Sequence, residues 1–431
     1  MTQIYDVFGI GIGPFNLGLA ALSSTNTTLK CLFIDQNSSF NWHKGMMING
    51  AKLQVPFHAD LVTLADPRNK FSFLSYLQAK RRLFRFTIRE EHFPLRKEYN
   101  DYCKWVVAQL HCLRFGLRCT DIDYSEKDGL YTIYCKATDS NKIFTFRARH
   151  LVLGIGSAPH IPSSINKEIA GIVHAENYLS SKPQILSSPK VTIVGSGQSA
   201  AEIYYDLLVE GKRPFWFTRS PRFFPMDYSK FALEMTSPDY IHHFYHLSPN
   251  TKAQVLSRQA TLFKGINKEL IAAIYEKLYE IGLDEDLTTY NQLFVNTELR
   301  GTITEAGSIQ CKFCHLELQE EFIHKTHHLI LATGYHYYIP DFIKNIKKQI
   351  YWDPMGRFQV SKAYHIDAHQ SIFVQNAEMH THGYNTPDLG MGPYRNAIIL
   401  NTILKKEFFQ IEDNVPFQGF GVPKNQEIPV A

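Results

Sequence analysis

Two stretches of the chain repeat one pattern of apolar and small residues. The first opens with the short β run Tyr5-Asp6-Val7-Phe8. It passes through Gly11-Ile12-Gly13-Pro14-Phe15-Asn16 and continues as a helix from Leu17 to Leu22. Leu29 to Ile34 then predicts a second strand, closed by Asp35. The second stretch opens with a strand from Lys190 to Val194, followed by the turn Gly195-Ser196-Gly197-Gln198-Ser199-Ala200. A helix from Ala201 to Glu210 and a strand from Pro214 to Thr218, closed by Arg219, complete it. Short continuous apolar runs bounded by turn residues suit strands buried on both faces, so each stretch predicts a strand–turn–helix–strand unit of a parallel sheet. The two units stand too far apart for a solenoid repeat and read as separate domains. Between them, 130–137 and 143–154 are β-rich, and Leu151 to Gly156 predicts a strand that returns to the first sheet. Leu329 to Tyr335 has the same character after the second unit. From Asp239 to Gly282 the period changes. Leu270, Ile271, Ile274, Leu278 and Ile281 fall at helical spacing and define one apolar face. The end of the chain, with Pro416, Pro423 and Pro429, reads as a loose tail over its last dozen residues.

Composition narrows the class. The chain has 431 residues, a net charge of +4, 44% apolar and 20% charged positions. That length suggests roughly two to four domains with ample core. The balance of charge is too even to point to nucleic acid or an anionic membrane. No uninterrupted apolar run of about 18 residues or more occurs, so no membrane-spanning helix is expected. The first apolar stretch is broken by Asp6, Asn16 and four glycines, which does not suit a secretory leader. Seven cysteines are an odd number and suggest free thiols in a cytoplasmic protein.

The glycine turns carry the chemistry. A dinucleotide diphosphate needs backbone N–H groups at a helix N-terminus and no side chain in its path. Gly11 permits the tight turn, Gly13 the close approach, and Asp35, 24 positions after Gly11, is placed to hold a ribose hydroxyl. Asn16 stands where a third glycine is usual. In the second unit Gly195, Gly197 and Ala200 repeat the pattern, but Arg219 closes the strand in place of an acid. A cation there suits the extra 2′-phosphate of NADP(H). The expected fold is therefore α/β, with two Rossmann-like domains, one for FAD at the N-terminal turn and one for NADPH at the second.

The electrons then need a destination. Gln36 to Asp66 contains no cysteine, which argues against a disulfide reductase. Cys311-Lys312-Phe313-Cys314-His315 matches a haem-attachment spacing. It lies in an alternating run that puts its two cysteines on opposite strand faces, and covalent haem requires export. His242, His243, His246, His327 and His328 lack a second ligand pair at metal spacing, so no metal site is expected. No nucleophile–base motif is seen, as suits chemistry carried by a flavin that activates O2.

Several motifs together resemble the siderophore-pathway N-hydroxylating monooxygenases. They are Gly11-Ile-Gly-Pro-Phe-Asn-Leu17, Trp42-His43-Lys-Gly-Met46, Leu53-Gln54, Asp60-Leu61-Val62, Asp66-Pro67 and Phe71-Ser72-Phe73-Leu74. Ala332-Thr-Gly-Tyr335, Asn376-Ala-Glu-Met-His-Thr-His-Gly383 and Arg395-Asn-Ala-Ile-Ile-Leu-Asn401 complete the set, which covers nearly the whole chain. The resemblance implies hydroxylation of a primary amine by NADPH and O2 through a C4a-hydroperoxyflavin. It implies that Gly11, Gly13, Pro14, Asn16, Asp35, Trp42, His43 and Gln54 contact FAD. It gives Ser196 to Ser199, within Gly195-Ser196-Gly197-Gln198-Ser199, and Arg219 to NADPH. Asn267 would lie near both nicotinamide and substrate amine, and Pro387, Asp388 and Leu389 would close over the flavin. Amino-acid hydroxylases of this family carry a Lys one residue before the Asp of the Asp60 motif, to pair the substrate carboxylate. This chain has His58-Ala59-Asp60, Leu233 where those enzymes have Asn or Asp, and Gly390 where they have Ser. A carboxylate there would be a buried unpaired charge costing several kcal/mol.

The expected substrate is thus a decarboxylated amine: histamine, putrescine or cadaverine, with His58 tilting the choice to histamine. The alternatives are L-lysine or L-ornithine and, more remotely, S-oxygenation or Baeyer–Villiger chemistry. For the last, Gly171-Ile-Val-His174 has the wrong spacing. The expected layout is an FAD domain from 1–185 and 326–431, an NADPH domain from 186–238 and 285–325, and a helical substrate segment at 239–284. A homo-oligomer, dimer or tetramer, is expected; nucleic-acid and membrane partners are not.

Overall fold

The computed structural model describes residues 3–286, 292–305 and 307–422. The expected tail beyond Val422 lies outside them. A seven-stranded sheet organises the first domain, in the order Leu113–Arg114, Cys31–Ile34, Ile4–Ile10, Ile143–Leu153, Leu130–Ala137, Leu117–Ser125. Ile372–Val374 adds to Ile143–Leu153 in parallel. Ile143–Leu153 joins two kinds of sheet. Its first half pairs antiparallel with Leu130–Ala137, and its second half runs parallel to Ile4–Ile10 at the centre. The sequence shows the change. Ile-Phe-Thr-Phe-Arg-Ala-Arg alternates, as a strand wetted on one face must, whereas Leu-Val-Leu is buried without interruption.

The second sheet is wholly parallel, in the order Leu293–Phe294, Phe215–Phe217, Val191–Val194, His328–Leu331, Ile172–His174. A three-stranded antiparallel meander, Thr297–Glu305, Ser308–His315 and Glu320–Thr326, packs on it. Cys311 and Cys314 are buried in that meander.

This sheet corrects the expected domain limits. Ile172–His174 and His328–Leu331 both belong to it, so the boundaries at 185/186 and 325/326 fall inside one domain. The chain crosses between domains instead at Ala158–Pro159 and Tyr335–His336, which pair with each other. A three-residue strand is too short to announce itself by periodicity. The segment 239–284 is not one unit either. Lys268–Asp284 packs on Gln198–Val209, and Ile274 and Ile281 join the second domain's core with Ile203 and Leu207. Pro238–His246 packs instead on Met379–His382. Both turn helices begin earlier than the apolar pattern indicates, at Pro14 and Gln198, because Pro suits the first helical position and Gln carries no periodic signal.

Candidate functional site

The first glycine turn leaves the end of Ile4–Ile10. Gly11 has φ 90°, and a Cβ there would collide with the Gly154 carbonyl, so only glycine fits. Asp35 braces the turn. Its Oδ2 accepts from Ile12 N at 2.7 Å, and its Oδ1 from the backbone and side-chain nitrogens of Asn37 at 2.8 Å. Asn16 is buried and does more than fill the place of a glycine. Its Nδ2 donates to the Gly11 carbonyl at 2.8 Å, and its Oδ1 accepts from Gln375 Nε2 at 2.7 Å. Gly13 faces open space, and the helix Pro14–Ser23 starts from it without a side-chain cap. Its first N–H groups are therefore free for an anion.

Two clefts open against this turn. One has a volume of about 830 Å³ and the other about 540 Å³, and both are lined by Gly13, Asn37, Trp42, His43, Gly154 and Gly156. An open glycine, an uncapped helix start and a cleft running past both fit a flavin dinucleotide. His43 and Asn376 line the larger cleft with φ of 49° and 63°, an uncommon backbone conformation that their surroundings must hold. Burial among the cleft walls, and then the Arg96 guanidinium, push the His43 imidazole down to about 4. It is therefore neutral at pH 7.

The second turn mirrors the first. Gly195 has φ 152°, and a Cβ there would collide with the Ala332 carbonyl, as Gly11 does with Gly154. Gln198–Val209 starts at Gly197, again without a side-chain cap. Ser196 and Ser199 are half-buried beside it. Arg219 is 76% exposed, and its nearest anion, Glu298, lies 3.8 Å away. The turn fits a second dinucleotide, and the Arg219 side chain is largely open to solvent.

The structure brings Gln54 and Asn267 together between the domains. Gln54 Nε2 donates to Asn267 Oδ1 at 2.9 Å and to the Gly265 carbonyl at 3.2 Å. Tyr228 donates its hydroxyl to the Gln54 carbonyl at 2.8 Å. Asn267 N donates to Gln198 Oε1 at 2.9 Å, which ties the cluster to the second turn. Gly45 presses on the other domain so closely that a Cβ would overlap the Glu176 carbonyl. Gly45 belongs to the Trp42–Met46 motif, whereas Tyr228 and Glu176 were not legible as site residues, since nothing local sets them apart.

Two loops carry the residues expected to meet the substrate. Asp60 accepts from Val62 N, Thr63 N, the Thr63 hydroxyl and Phe73 N, and so fixes the loop that carries Ala59. The second loop runs from Thr386 to Gly390. Arg395 and Glu378, both fully buried, pair at 3.0 Å, and Arg395 Nη2 donates to the Thr386 carbonyl at 2.6 Å. The loops meet at Gly390. A Cβ there would stand 3.4 Å from Ala59 Cβ and 3.1 Å from Asp388 Oδ1. Asp388 Oδ1 accepts from Gly390 N at 2.7 Å, and burial pushes its carboxyl above the usual range. Leu389 is half-buried and Pro387 exposed.

Two more residues expected to meet the substrate are exposed. His58 is exposed, with its ring edge-on to Phe57. Leu233 ends the short helix Lys230–Leu233 and is 43% exposed; the link from that segment to the second loop is a hydrogen bond from Asn385 to the Met235 carbonyl at 2.9 Å. Among the described residues no group of three or more His, Cys, Asp or Glu is placed to hold a metal. No helix among them is long and apolar enough to cross a membrane.

Residues 3–337 match the L-lysine 6-monooxygenase/L-ornithine 5-monooxygenase family. The putrescine N-hydroxylase of Shewanella oneidensis is 44% identical over 97% of this chain and 84% of its own length. That of Acinetobacter baumannii is 42% identical over 99% and 95%. Among solved structures, the FAD-bound cadaverine monooxygenase of the desferrioxamine pathway from Erwinia amylovora superposes with a TM-score of 0.95. It is 42% identical and covers 99% of this chain and all of that one. The Kutzneria ornithine N-hydroxylase, solved with reduced FAD, NADP+ and L-ornithine, gives a TM-score of 0.85 at 26% identity, over 94% and 99%.

Proposed function

The chain belongs to the L-lysine 6-monooxygenase/L-ornithine 5-monooxygenase family, and we propose that within it the enzyme N-hydroxylates a primary amine that has no carboxylate, giving a hydroxylamine for siderophore assembly. The favoured substrates are the diamines putrescine and cadaverine. The reaction is R-NH2 + O2 + NADPH + H+ → R-NHOH + H2O + NADP+. FAD, held at the first turn, supplies the oxygen-activating chemistry once NADPH has reduced it.

The observation that carries this reading is the meeting of Ala59, Gly390 and Asp388. An amino-acid substrate would bring its carboxylate to a pocket end that offers a methyl group, a bare backbone and another carboxylate. A diamine would bring a second ammonium to the same place, where Asp388 is its counter-ion. Putrescine and cadaverine are also what the named relatives at 42–44% identity act on, whereas the ornithine hydroxylase is only 26% identical. The case for histamine rested on His58, and its exposed position weakens that case.

The chain's own residues divide the remaining work. Gly11, Gly13, Pro14, Asn16 and Asp35 hold the flavin dinucleotide, with Trp42 and neutral His43 against it. Gly195 to Ser199 and Arg219 hold NADPH. Gln54 and Asn267 orient the nicotinamide end and the reacting amine, and Pro387 to Leu389 shut the pocket against water. We place the enzyme in the cytoplasm, as a dimer or tetramer, which light scattering will read directly. Steady-state turnover with putrescine, cadaverine, histamine, L-lysine and L-ornithine, with the hydroxylamine identified by mass spectrometry, tests the reading. Preference for either amino acid overturns it.

A further inference from the structure

A buried ion pair joins the two dinucleotide domains. Arg96 opens the helix Arg96–Val107 of the first domain, and Glu202 lies in the helix Gln198–Val209 of the second. Their side chains are 12% and 4% exposed. The guanidinium grips the carboxylate with both ends, Nη1 to Oε2 at 2.8 Å and Nη2 to Oε1 at 2.7 Å. Its Nη1 also donates to the Met46 carbonyl at 2.6 Å, in the segment that lines the larger cleft.

The pair reaches the second turn through one amide. Gln198 Nε2 donates to Glu202 Oε1 at 3.0 Å. Its other end, Oε1, then faces Asn267 N at 2.9 Å and Gln54 Nε2 at 3.4 Å. An ionised carboxylate only accepts hydrogen bonds, so Glu202 decides which end of the amide faces which neighbour. A flipped Gln198 would set oxygen against carboxylate on one side and NH2 against two donors on the other.

We propose that Arg96 and Glu202 are positioning residues for reduction of the flavin by NADPH. Through Gln198 they fix Gln54 and Asn267, and through Met46 they set the second turn against the flavin cleft. This rests on the reading that Gly195 to Ser199 hold NADPH. Reacting groups misplaced by an ångström cost about a hundredfold in rate, so a small loss of registry is measurable.

The test uses the purified FAD-loaded enzyme and two variants, E202Q and the apolar pair R96M/E202L. Three quantities are read: NADP+ affinity by calorimetry, the anaerobic rate of flavin reduction at saturating NADPH, and the thermal midpoint. E202Q is expected to weaken NADP+ binding several-fold and slow reduction by about tenfold or more, with FAD content unchanged. An apolar pair of similar volume satisfies the buried space, so R96M/E202L should regain the wild-type midpoint while reduction stays about tenfold slow, because Gln198 has lost its acceptor. The proposal is overturned if E202Q matches the wild type in both affinity and rate, or if R96M/E202L restores the rate together with stability. A wild-type enzyme that hydroxylates none of the amines leaves all three readouts intact, so that outcome would count against the substrate reading alone.

Discussion

Replacing Asp388 by asparagine removes one charge and almost no volume. The amide oxygen of the D388N variant can still accept the Gly390 N–H bond that Asp388 Oδ1 accepts at 2.7 Å, so the loop and the start of the helix Met391–Leu404 should hold. What changes is the counter-ion for the far end of a diamine. A group seated beside Ala59, where a side chain at position 390 would stand, lies about one contact distance from Asp388 Oδ1. Two unit charges about 4 Å apart interact by about 4 kcal/mol at an effective dielectric of about 20. Part of that is spent in drying both groups, which leaves about 2–3 kcal/mol. The expected loss in kcat/KM for putrescine or cadaverine is therefore about 30- to 160-fold. The assay is hydroxylamine formation under steady state, with n-butylamine and n-pentylamine as controls that lack the second charge. Those monoamines should change by less than about threefold. A further signature follows from burial, which raises the Asp388 carboxyl. As pH falls through that raised value the wild type loses its preference for diamine over monoamine, whereas D388N shows no such titration. Equal losses for diamines and monoamines would refute a charge-recognition role for Asp388.

The reverse experiment restores the polar groups. A59K with G390S places an ammonium beside Asp388, so diamine turnover should fall by about tenfold or more, while L-ornithine or L-lysine gains activity measurable by product mass. R219A should raise KM for NADPH by about tenfold and leave KM for NADH unchanged, since an exposed guanidinium contributes only the lower part of the usual charge-assisted bond. Stability should also depend on pH through buried neutral histidines, of which His324 and His382 do not line either cleft. Burial lowers His324 to about 4 and His382 to about 3 from 6.5. The unfolded chain therefore takes up protons first, so the stability tied to these neutral rings is complete above pH 6.5 and drains away as pH falls toward 4 and 3. Each adds about 1.4 kcal/mol per pH unit to the slope in that window. Denaturant midpoints between pH 7.5 and 4.5 should show the slope, and H324Q should lower it by one histidine's share, about 1.4 kcal/mol per pH unit.

Both nucleotide folds and the family can be read from the residues before any tertiary contact is known. Gly11 and Gly195 are legible because a turn with positive φ packed on a neighbouring carbonyl admits no other residue, and the apolar runs around them follow from burial on both faces. The lost lysine at Ala59 was legible too, as a departure from a motif. Tertiary structure alone decided where the chain changes domain, because Ile172–His174 acquires its meaning only by pairing with His328–Leu331, far along the chain. It also brought Asp388 to Ala59, Tyr228 to Gln54 and Arg96 to Glu202. Local periodicity records which face of an element avoids water. It carries no information about which polar groups, distant in sequence, must satisfy one another once that water is gone.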